Sequence, residues 1–325
     1  MSDSKEALMK ISVGVVTRNR PAMLAELLET FAAMRKPDSA EIQYIVVENN
    51  EVLTVGSVVD AVRTKLQPSA VTLAVETRRG IPFARNAVLD IALNSGADYL
   101  TFVDDDERVD ENWLVKLYER CATGPFDLVG GAVLIDRMPS GCNWGQGIIW
   151  RGLQERNRHV AAKLAHRAAT KGANSVNVST ANWMGRLDFF RQSGLRFDEA
   201  IGVGSGSDRR LYKDCVKLGG KTSWTGEAVV YDTVPLSRLS LQYQFQRGRD
   251  HTAFLFAGGQ QRASRGALLG KAAARLPRVM YYGLLAPFTA GRSIVMAARM
   301  AGDVMGFLDA YRGVFGTHYD TVTGQ

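Results

Sequence analysis

Short apolar runs alternate with amphipathic stretches through the first 135 residues of the chain. Residues 11–17 form a β-branched run, and Pro21 then precedes apolar residues at helical spacing up to Phe31. This pattern predicts a strand followed by a helix with proline near its start. Apolar runs without polar alternation are typical of strands covered on both faces, so we expect an α/β fold with a mostly parallel sheet. The same pattern predicts three further strands and two helices, over 42–47, 55–66, 71–75, 83–93 and 99–103.

The second half of the chain has a less regular pattern. Residues 136–172 contain several glycines and many basic residues without a strand period, and they predict a mobile loop. Residues 175–180 alternate polar and apolar side chains, which predicts a half-exposed strand. Helices are predicted over 111–121, 187–193 and 208–218, and strands over 128–135 and 228–231.

The composition of the chain indicates a folded protein and the cellular setting in which it works. The chain has 325 residues, of which 46% are hydrophobic and 22% charged, so we expect a folded protein and not a disordered one. Its three cysteines lack C-x-x-C spacing, and no leader-like segment precedes the first predicted strand. The sequence therefore predicts a reducing, cytoplasmic setting.

The positive charge is concentrated near the C-terminus. The formal net charge is +7, and the pI near 9.4 fits an anionic partner. Residues 251–302 contain no Asp or Glu, but they hold seven Lys and Arg residues. We therefore predict a domain boundary near residue 250, with a charge-balanced body before it and a basic helical tail over 251–325.

Asp104, Asp105 and Asp106 directly follow the predicted strand 99–103. Adjacent carboxylates in a pocket repel one another unless a cation is bound, and oxygen ligands suit Mg²⁺ or Mn²⁺. Thr17 and Glu48 also lie at strand ends, where open α/β sheets bind ligands. The alternative is an acidic loop, or the N-cap of the following helix.

Four segments in fixed order carry a resemblance to a known family. Residues 17–21, 48–49 and 80–86, followed by the three aspartates, resemble family 2 inverting glycosyltransferases, which have the GT-A fold. The resemblance covers about the first 230 residues and is strongest to bacterial exopolysaccharide enzymes of the succinoglycan glucosyltransferase type. It implies a nucleotide-sugar half over about 1–135 and an acceptor half over about 136–250.

The resemblance also implies roles for individual residues. Asp106 corresponds to the metal ligand, and Arg85 lies near the donor phosphates, although helix capping is the alternative for Arg85. Glu48 stands where the family usually has the Asp that binds uracil or ribose. The residues implied in nucleotide-sugar binding are Thr17, Arg18, Asn19, Glu48, Arg85, Asp104 and Asp105, of which Asp105 has no defined contact.

Inverting transfer requires a base that takes the proton of the acceptor hydroxyl. Asp208 follows a glycine-rich turn in the position of the family base, with Ser207 where Glu is common. Its alternative role is to cap the helix 208–218. Trp183 matches the acceptor-side segment and is predicted to stack on a sugar, although a single Trp is more often core. His251 receives no role.

The tail contains two amphipathic, mostly cationic stretches. Only 13 uncharged residues separate Arg278 from Arg292, whereas a spanning helix needs about 20. We therefore predict that the tail lies in the interface of an anionic membrane. The alternative is packing on the catalytic domain or across a homodimer.

The combined interpretation is a peripheral hexosyltransferase at the cytoplasmic face of the inner membrane. It is expected to transfer a hexose from a UDP-sugar to a polyprenyl-diphosphate-linked saccharide. A metal-dependent sugar nucleotidyltransferase is the alternative, because it shares the nucleotide-binding sheet and the metal. No RNA-binding aromatic signature and no G-x-G-x-x-G after strand one is present, which disfavours nucleic-acid binding and dinucleotide-dependent oxidoreduction.

Overall fold

A computed structural model describes residues 8–179, 181–202, 206–257 and 263–314. The chain forms two compact units. Unit 1 is built from residues up to 134 and from residues 160–232, and unit 2 from residues 135–159 and from residue 233 onward. The predicted boundary near residue 250 lies inside a helix of unit 2, Leu241–Ala257.

The described part of unit 1 is organised around an eight-stranded sheet. Its strands are β1 (Met9–Thr17), β2 (Ala40–Glu48), β3 (Ala70–Val75), β4 (Tyr99–Asp104), β5 (Glu107–Val109), β6 (Leu128–Ile135), β7 (Trp183–Arg186) and β8 (Thr222–Asp232). They lie in the order β3-β2-β1-β4-β7-β6-β8-β5. The first four strands are parallel, whereas β7 is antiparallel to β4 and β6, and β5 is antiparallel to β8. The predicted α/β class is confirmed, with parallel pairing in one half of the sheet.

Helices follow most strands. They are α1 (Pro21–Ala33), α2 (Gly56–Arg63), α3 (Ile81–Asn94), α4 (Trp113–Ala122), α5 (Trp144–Lys171), α6 (Leu187–Ser193), α7 (Ser207–Lys217), α8 (Leu241–Ala257), α9 (Arg265–Leu284) and α10 (Ile294–Arg312). Helices α1 and α3 bury apolar residues in two separate core clusters, represented by Leu27 with Val13 and by Val88 with Phe102. The central strands contribute to both clusters, which explains their continuous apolar sequence.

Two predictions about local structure are wrong. Helix α5 occupies most of the predicted mobile loop 136–172, because the stretch from Leu153 is rich in Ala, Arg and Lys, which favour helix. Gly145 and Gly147 at its start suggested a loop. Residues 175–179 form no strand, and Thr180 lies outside the described residues. The short strands β5 and β7 were not predicted, because three or four residues carry little periodicity.

Unit 2 contains α8, α9 and α10 packed closely together. A Cβ on Gly248 would lie 2.3 Å from the Arg299 carbonyl oxygen, and one on Gly302 would lie 2.1 Å from that of Phe245. Glycine at these positions therefore permits the approach of α8 and α10. None of the helices in the described ranges is long and apolar enough to cross a membrane.

Candidate active site

The parallel strands β1, β2 and β4 end at one edge of the sheet. Thr17 is in register with Glu48, and Val16 with Asp104, so polar residues after all three strands meet there. The Thr17 hydroxyl donates a 2.7 Å hydrogen bond to Asp105 Oδ2. The structure thus brings together the first and fourth of the predicted segments.

Asp105 is the buried member of the acidic run. Its side chain is 7% exposed, and Arg20 Nη1 lies 2.9 Å from its Oδ1 and 3.5 Å from Asp106 Oδ2. Burial raises the pKa of Asp105 to about 6, although Arg20 and Thr17 oppose the rise. Asp105 therefore joins β4 to the segment after β1, a contact that sequence reasoning did not assign.

Asp104 faces the N-terminal part of α3. Arg85, which is 7% exposed, donates from Nη2 to Asp104 Oδ1 at 3.2 Å and from Nη1 to Ser207 Oγ at 2.9 Å. Loss of hydration raises the pKa of Asp104, Arg85 opposes this rise, and Asp106 and Asp208 add to it. The Asp104 side chain nevertheless remains 46% exposed, which leaves it accessible to a ligand.

Glu107 is a fourth acid that sequence reasoning missed. It is 5% exposed, and its Oε2 accepts a 3.1 Å hydrogen bond from the Asp104 backbone N–H. Burial raises its pKa well above the usual value, and Asp104 and Asp106 raise it further. The signal was present in the sequence, because the acidic run continues without interruption to residue 107.

The chemistry of these residues fits a divalent cation. Arg20 and Arg85 contact three of the four consecutive acids, and carboxylate oxygens are the ligands that Mg²⁺ and Mn²⁺ prefer. Burial is the main cause of the raised pKa values at Asp104 and Glu107, and repulsion between neighbouring carboxylates adds to it; a bound cation would relieve that repulsion. Among the described residues, no group of three or more acidic, His or Cys side chains is arranged to hold an ion. Mg²⁺ commonly binds one or two carboxylates together with waters and substrate phosphates.

Asp208 lies in the same site. It occupies the first turn of α7, whose N-cap is Gly206 at φ +92°, and its Oδ2 accepts a 3.3 Å hydrogen bond from Ser179 Oγ. Its negative charge also contributes to the raised pKa of Asp104. The preceding residues 203–205 of the glycine-rich turn lie outside the described residues. Asp208 is thus placed at the helix start and close to the acids at the end of β4.

Glu48 is held by its own loop. It has no exposed surface, and its carboxylate accepts bonds from Thr54 N at 2.6 Å, Val55 N at 3.2 Å and the Thr54 hydroxyl. The neighbouring Asn49 bonds the backbone of Glu76, Arg78 and Gly80. These contacts fix the loops after β2 and β3 and enclose the Glu48 carboxylate.

The other donor-side positions differ in exposure. Arg18 and Asn19 are exposed, and Asn19 has a φ of +52° while its side-chain oxygen accepts a 2.8 Å bond from Asn50. Both side chains are accessible at the edge that holds Thr17. Asn86 instead bonds both backbone groups of Phe197 at 3.0 Å, a structural contact within unit 1.

The prediction that Trp183 stacks on an acceptor sugar is wrong. Its side chain has no exposed surface, and its ring stacks on Phe102 and Phe190 with centroid distances of 5.5 and 6.0 Å. Strand β7 places this side chain inside the core. Its Nε1 is buried without a partner among the described residues.

Comparison with known proteins gives consistent matches. A sequence model described as glycosyl transferase family 2 matches residues 12–193. The succinoglycan biosynthesis protein ExoM of Rhizobium meliloti (strain 1021) is 30% identical over 268 residues, 81% of each chain.

Two solved structures resemble the whole fold. Mannosyltransferase PcManGT of Pyrobaculum calidifontis, in complex with GDP-Man and Mn²⁺, has a TM-score of 0.57 at 17% identity, covering 90% of this chain and 86% of that one. S. aureus TarS 1-349 in complex with UDP has a TM-score of 0.51 at 16% identity, covering 94% and 92%. At such identities these two matches establish the fold alone.

Proposed function

Because the chain belongs to glycosyl transferase family 2 and is a glycosyltransferase of the GT-A type, we propose that it transfers a hexose from a UDP-sugar with inversion. The observation that carries the proposal is the meeting of Asp104, Asp106, Arg85 and Asp208 at the carboxyl end of β4. The proposed acceptor is a polyprenyl-diphosphate-linked saccharide. The name of the R. meliloti relative, a succinoglycan biosynthesis protein, supports a role in exopolysaccharide synthesis.

The donor site uses the edge formed by β1, β2 and β4. Thr17, Arg18, Asn19 and the loop held by Glu48 bind the nucleoside, and Arg85 binds the diphosphate. Complexes of the structural relatives with UDP and with GDP-Man and Mn²⁺ support a nucleotide-sugar at this fold. Asp106, with Asp104 beside it, would hold Mg²⁺ or Mn²⁺, which when bound neutralises charge on the departing diphosphate.

Each protein group has a separate task in transfer. Asp208 accepts the proton of the acceptor hydroxyl as the oxygen attacks the anomeric carbon, opposite the leaving diphosphate. Ser179 orients Asp208 through the 3.3 Å hydrogen bond. Arg85, positioned by Ser207 and Asp104, donates hydrogen bonds to the leaving oxyanion, where a planar guanidinium suits phosphate oxygens.

The membrane association in this proposal rests on α9. Leu276, Met280 and Leu284 recur every four residues on one helix face and are 50%, 66% and 73% exposed. Lys271 and Arg278 on the same helix are also exposed. Exposed apolar residues flanked by cations suit the interface of an anionic bilayer, which would place the enzyme peripherally on the cytoplasmic face.

Asp208→Asn tests the proposed mechanism. The variant should bind UDP-sugar normally, because Asp208 is not expected to contact the nucleotide, yet lose transfer by about 10²–10⁴-fold. Asp214→Asn is the matched control, since Asp214 lies on the same helix and pairs with Arg210. Near-normal transfer by Asp208→Asn would show that Asp208 only caps the helix and does not act as the base. Turnover with a nucleoside triphosphate and a sugar phosphate, but with no UDP-sugar, would instead establish the nucleotidyltransferase alternative.

A further inference from the structure

Unit 2 contains a cavity of about 830 Å³, and none of the residues assigned to the proposed transfer reaction lines it. It is lined by α8, α9 and α10 together with Arg156 of α5. Six cationic side chains line it, namely Arg156, Arg247, Lys271, Arg275, Arg278 and Arg299. His251, which received no role from the sequence, also lies in its wall.

The positive charge in the cavity is poorly compensated. Asp303 is the one acidic residue among the described lining residues. Its Oδ1 accepts a 3.0 Å hydrogen bond from Thr252, and its Oδ2 lies 3.8 Å from Arg275 Nε. Five formal positive charges therefore remain after this pairing, and like charges in a partly enclosed space are unfavourable unless an anion enters.

Three of the arginines repel one another directly. The pKa of Arg299 is lowered to about 9, mainly by burial and in part by the charges of Arg156 and Arg247. Burial and Arg247 likewise lower the pKa of Arg156. Arg299 Nε donates to Gln244 Oε1 at 2.7 Å, which uses one of the five N–H donors of the guanidinium.

Part of the cavity wall is apolar. Leu255, Phe256, Met296, Met300 and Phe307 supply it. Arginine is the side chain best suited to phosphate oxygens, because its guanidinium donates in a planar fork. A cation cluster beside an apolar wall matches a phosphate group joined to a hydrocarbon chain, although the cluster would also accept free phosphate.

We propose that this cavity binds a phosphate- or diphosphate-bearing ligand, carried either by a lipid or by a small free anion. The cluster of Arg156, Arg247 and Arg299 holds the phosphate oxygens, and the apolar wall contacts the chain when one is present. The proposal requires no transfer chemistry. A lipid-linked diphosphate acceptor would be one such ligand, but failure of the proposed reaction would leave the cavity proposal intact.

The test uses the full-length protein in EDTA, so that metal-assisted binding of diphosphate at the acidic site is absent. Inorganic pyrophosphate and farnesyl diphosphate are titrated separately by calorimetry. Arg247→Gln should weaken binding of both by about tenfold. The unliganded variant should melt no lower than the parent, because the substitution removes repulsion acting on Arg156 and Arg299. Arg312→Gln, an exposed cation of α10 outside the cavity, is the charge-matched control and should bind as the parent does.

Arg156→Gln serves as the second cavity variant and should weaken binding similarly. Farnesyl diphosphate binding at least about tenfold tighter than pyrophosphate would identify the lipid source, since burial of a few methylene groups exceeds that factor. Equal affinities would identify a free phosphate source. The proposal is overturned if neither compound binds, if both cavity variants bind as the control does, or if Arg85→Gln at the acidic site removes the binding instead.

Discussion

The variant Asp105→Asn tests whether burial of the Asp105 carboxylate at the end of β4 destabilises the metal-free protein. The carboxyl group of Asp105 is 7% exposed, and burial raises its pKa to about 6 from the ordinary value of 3.8. In the unfolded chain the group ionises at the lower value. Between these values the unfolded state therefore binds fewer protons than the folded state, and stability falls as pH rises.

The size of the effect follows from the two pKa values of Asp105. A difference of one between the folded and unfolded pKa corresponds to about 1.36 kcal/mol, so the full loss of stability above the folded pKa is about 3 kcal/mol. Between about pH 5 and about pH 8 the expected loss is about 1.4 kcal/mol, because part of the titration lies below that window. Asn cannot ionise, and the pH dependence due to Asp104 and Glu107 is common to both proteins.

The assay is urea unfolding in EDTA at several pH values for the parent and for Asp105→Asn. The quantity of interest is the parent's free energy of unfolding minus that of the variant, which should decrease by about 1.4 kcal/mol from about pH 5 to about pH 8. The variant also loses the contacts of the Asp105 carboxylate with Thr17 and Arg20, and this loss changes the difference by an amount that is roughly the same at every pH. Asp38→Asn, at an exposed position, is the control for removing one surface carboxylate. A difference that is constant or increases with pH would refute the reasoning.

Three further predictions concern the metal, the core and the membrane. Asp106→Ala should abolish the increase in UDP affinity that Mn²⁺ produces, and a retained increase in equilibrium binding would remove Asp106 from the metal site. Trp183→Phe should lower the free energy of unfolding by about 1–2 kcal/mol without changing the acceptor KM, whereas a raised KM would restore a role in acceptor binding. Replacing Leu276, Met280 and Leu284 by Ser should reduce sedimentation with phosphatidylglycerol vesicles. As the control, Ser at the exposed Val52 and Leu53 of unit 1 should leave sedimentation unchanged. Equal sedimentation of the two variants would contradict docking through α9.

The parallel half of the sheet was predictable because its strands are buried on both faces. The predicted strands 11–17, 42–47, 71–75 and 99–103 are confirmed by β1 to β4, since continuous apolar runs leave few alternatives for segments so short. The antiparallel half of the sheet was harder to predict from the sequence. Strand β7 is four residues long. The sequence alone does not distinguish whether its first residue, Trp183, is a core side chain or an aromatic residue that binds a sugar, because its neighbours in the fold are not known from the sequence.

The composition of the acidic site was predictable, but its pairing was not. The order of Thr17, Arg85 and the acidic run located them at one edge of the sheet. Sequence spacing could not indicate that Arg20 pairs with Asp105 or that Arg85 pairs with Asp104, because such contacts depend on side-chain direction across loops. Burial separates the adjacent acids: Asp105 and Glu107 are enclosed, whereas Asp104 and Asp106 are 46% and 20% exposed. The two accessible acids are therefore the ones available to a cation.

The location of the basic residues changes the physical basis of the proposed membrane association. Seven cations lie between residues 251 and 302, and four of them, Lys271, Arg275, Arg278 and Arg299, line the cavity of unit 2. Cations that line the cavity contribute less to attraction by a bilayer surface than freely exposed cations do, although Lys271 and Arg278 are also exposed on α9. Apolar insertion by α9 should therefore supply most of the membrane affinity, with a weaker dependence on salt than a surface of seven free cations would show. This assignment of membrane affinity to apolar insertion would be contradicted if vesicle binding by the parent falls steeply with salt and vesicle binding by Arg247→Gln falls equally steeply.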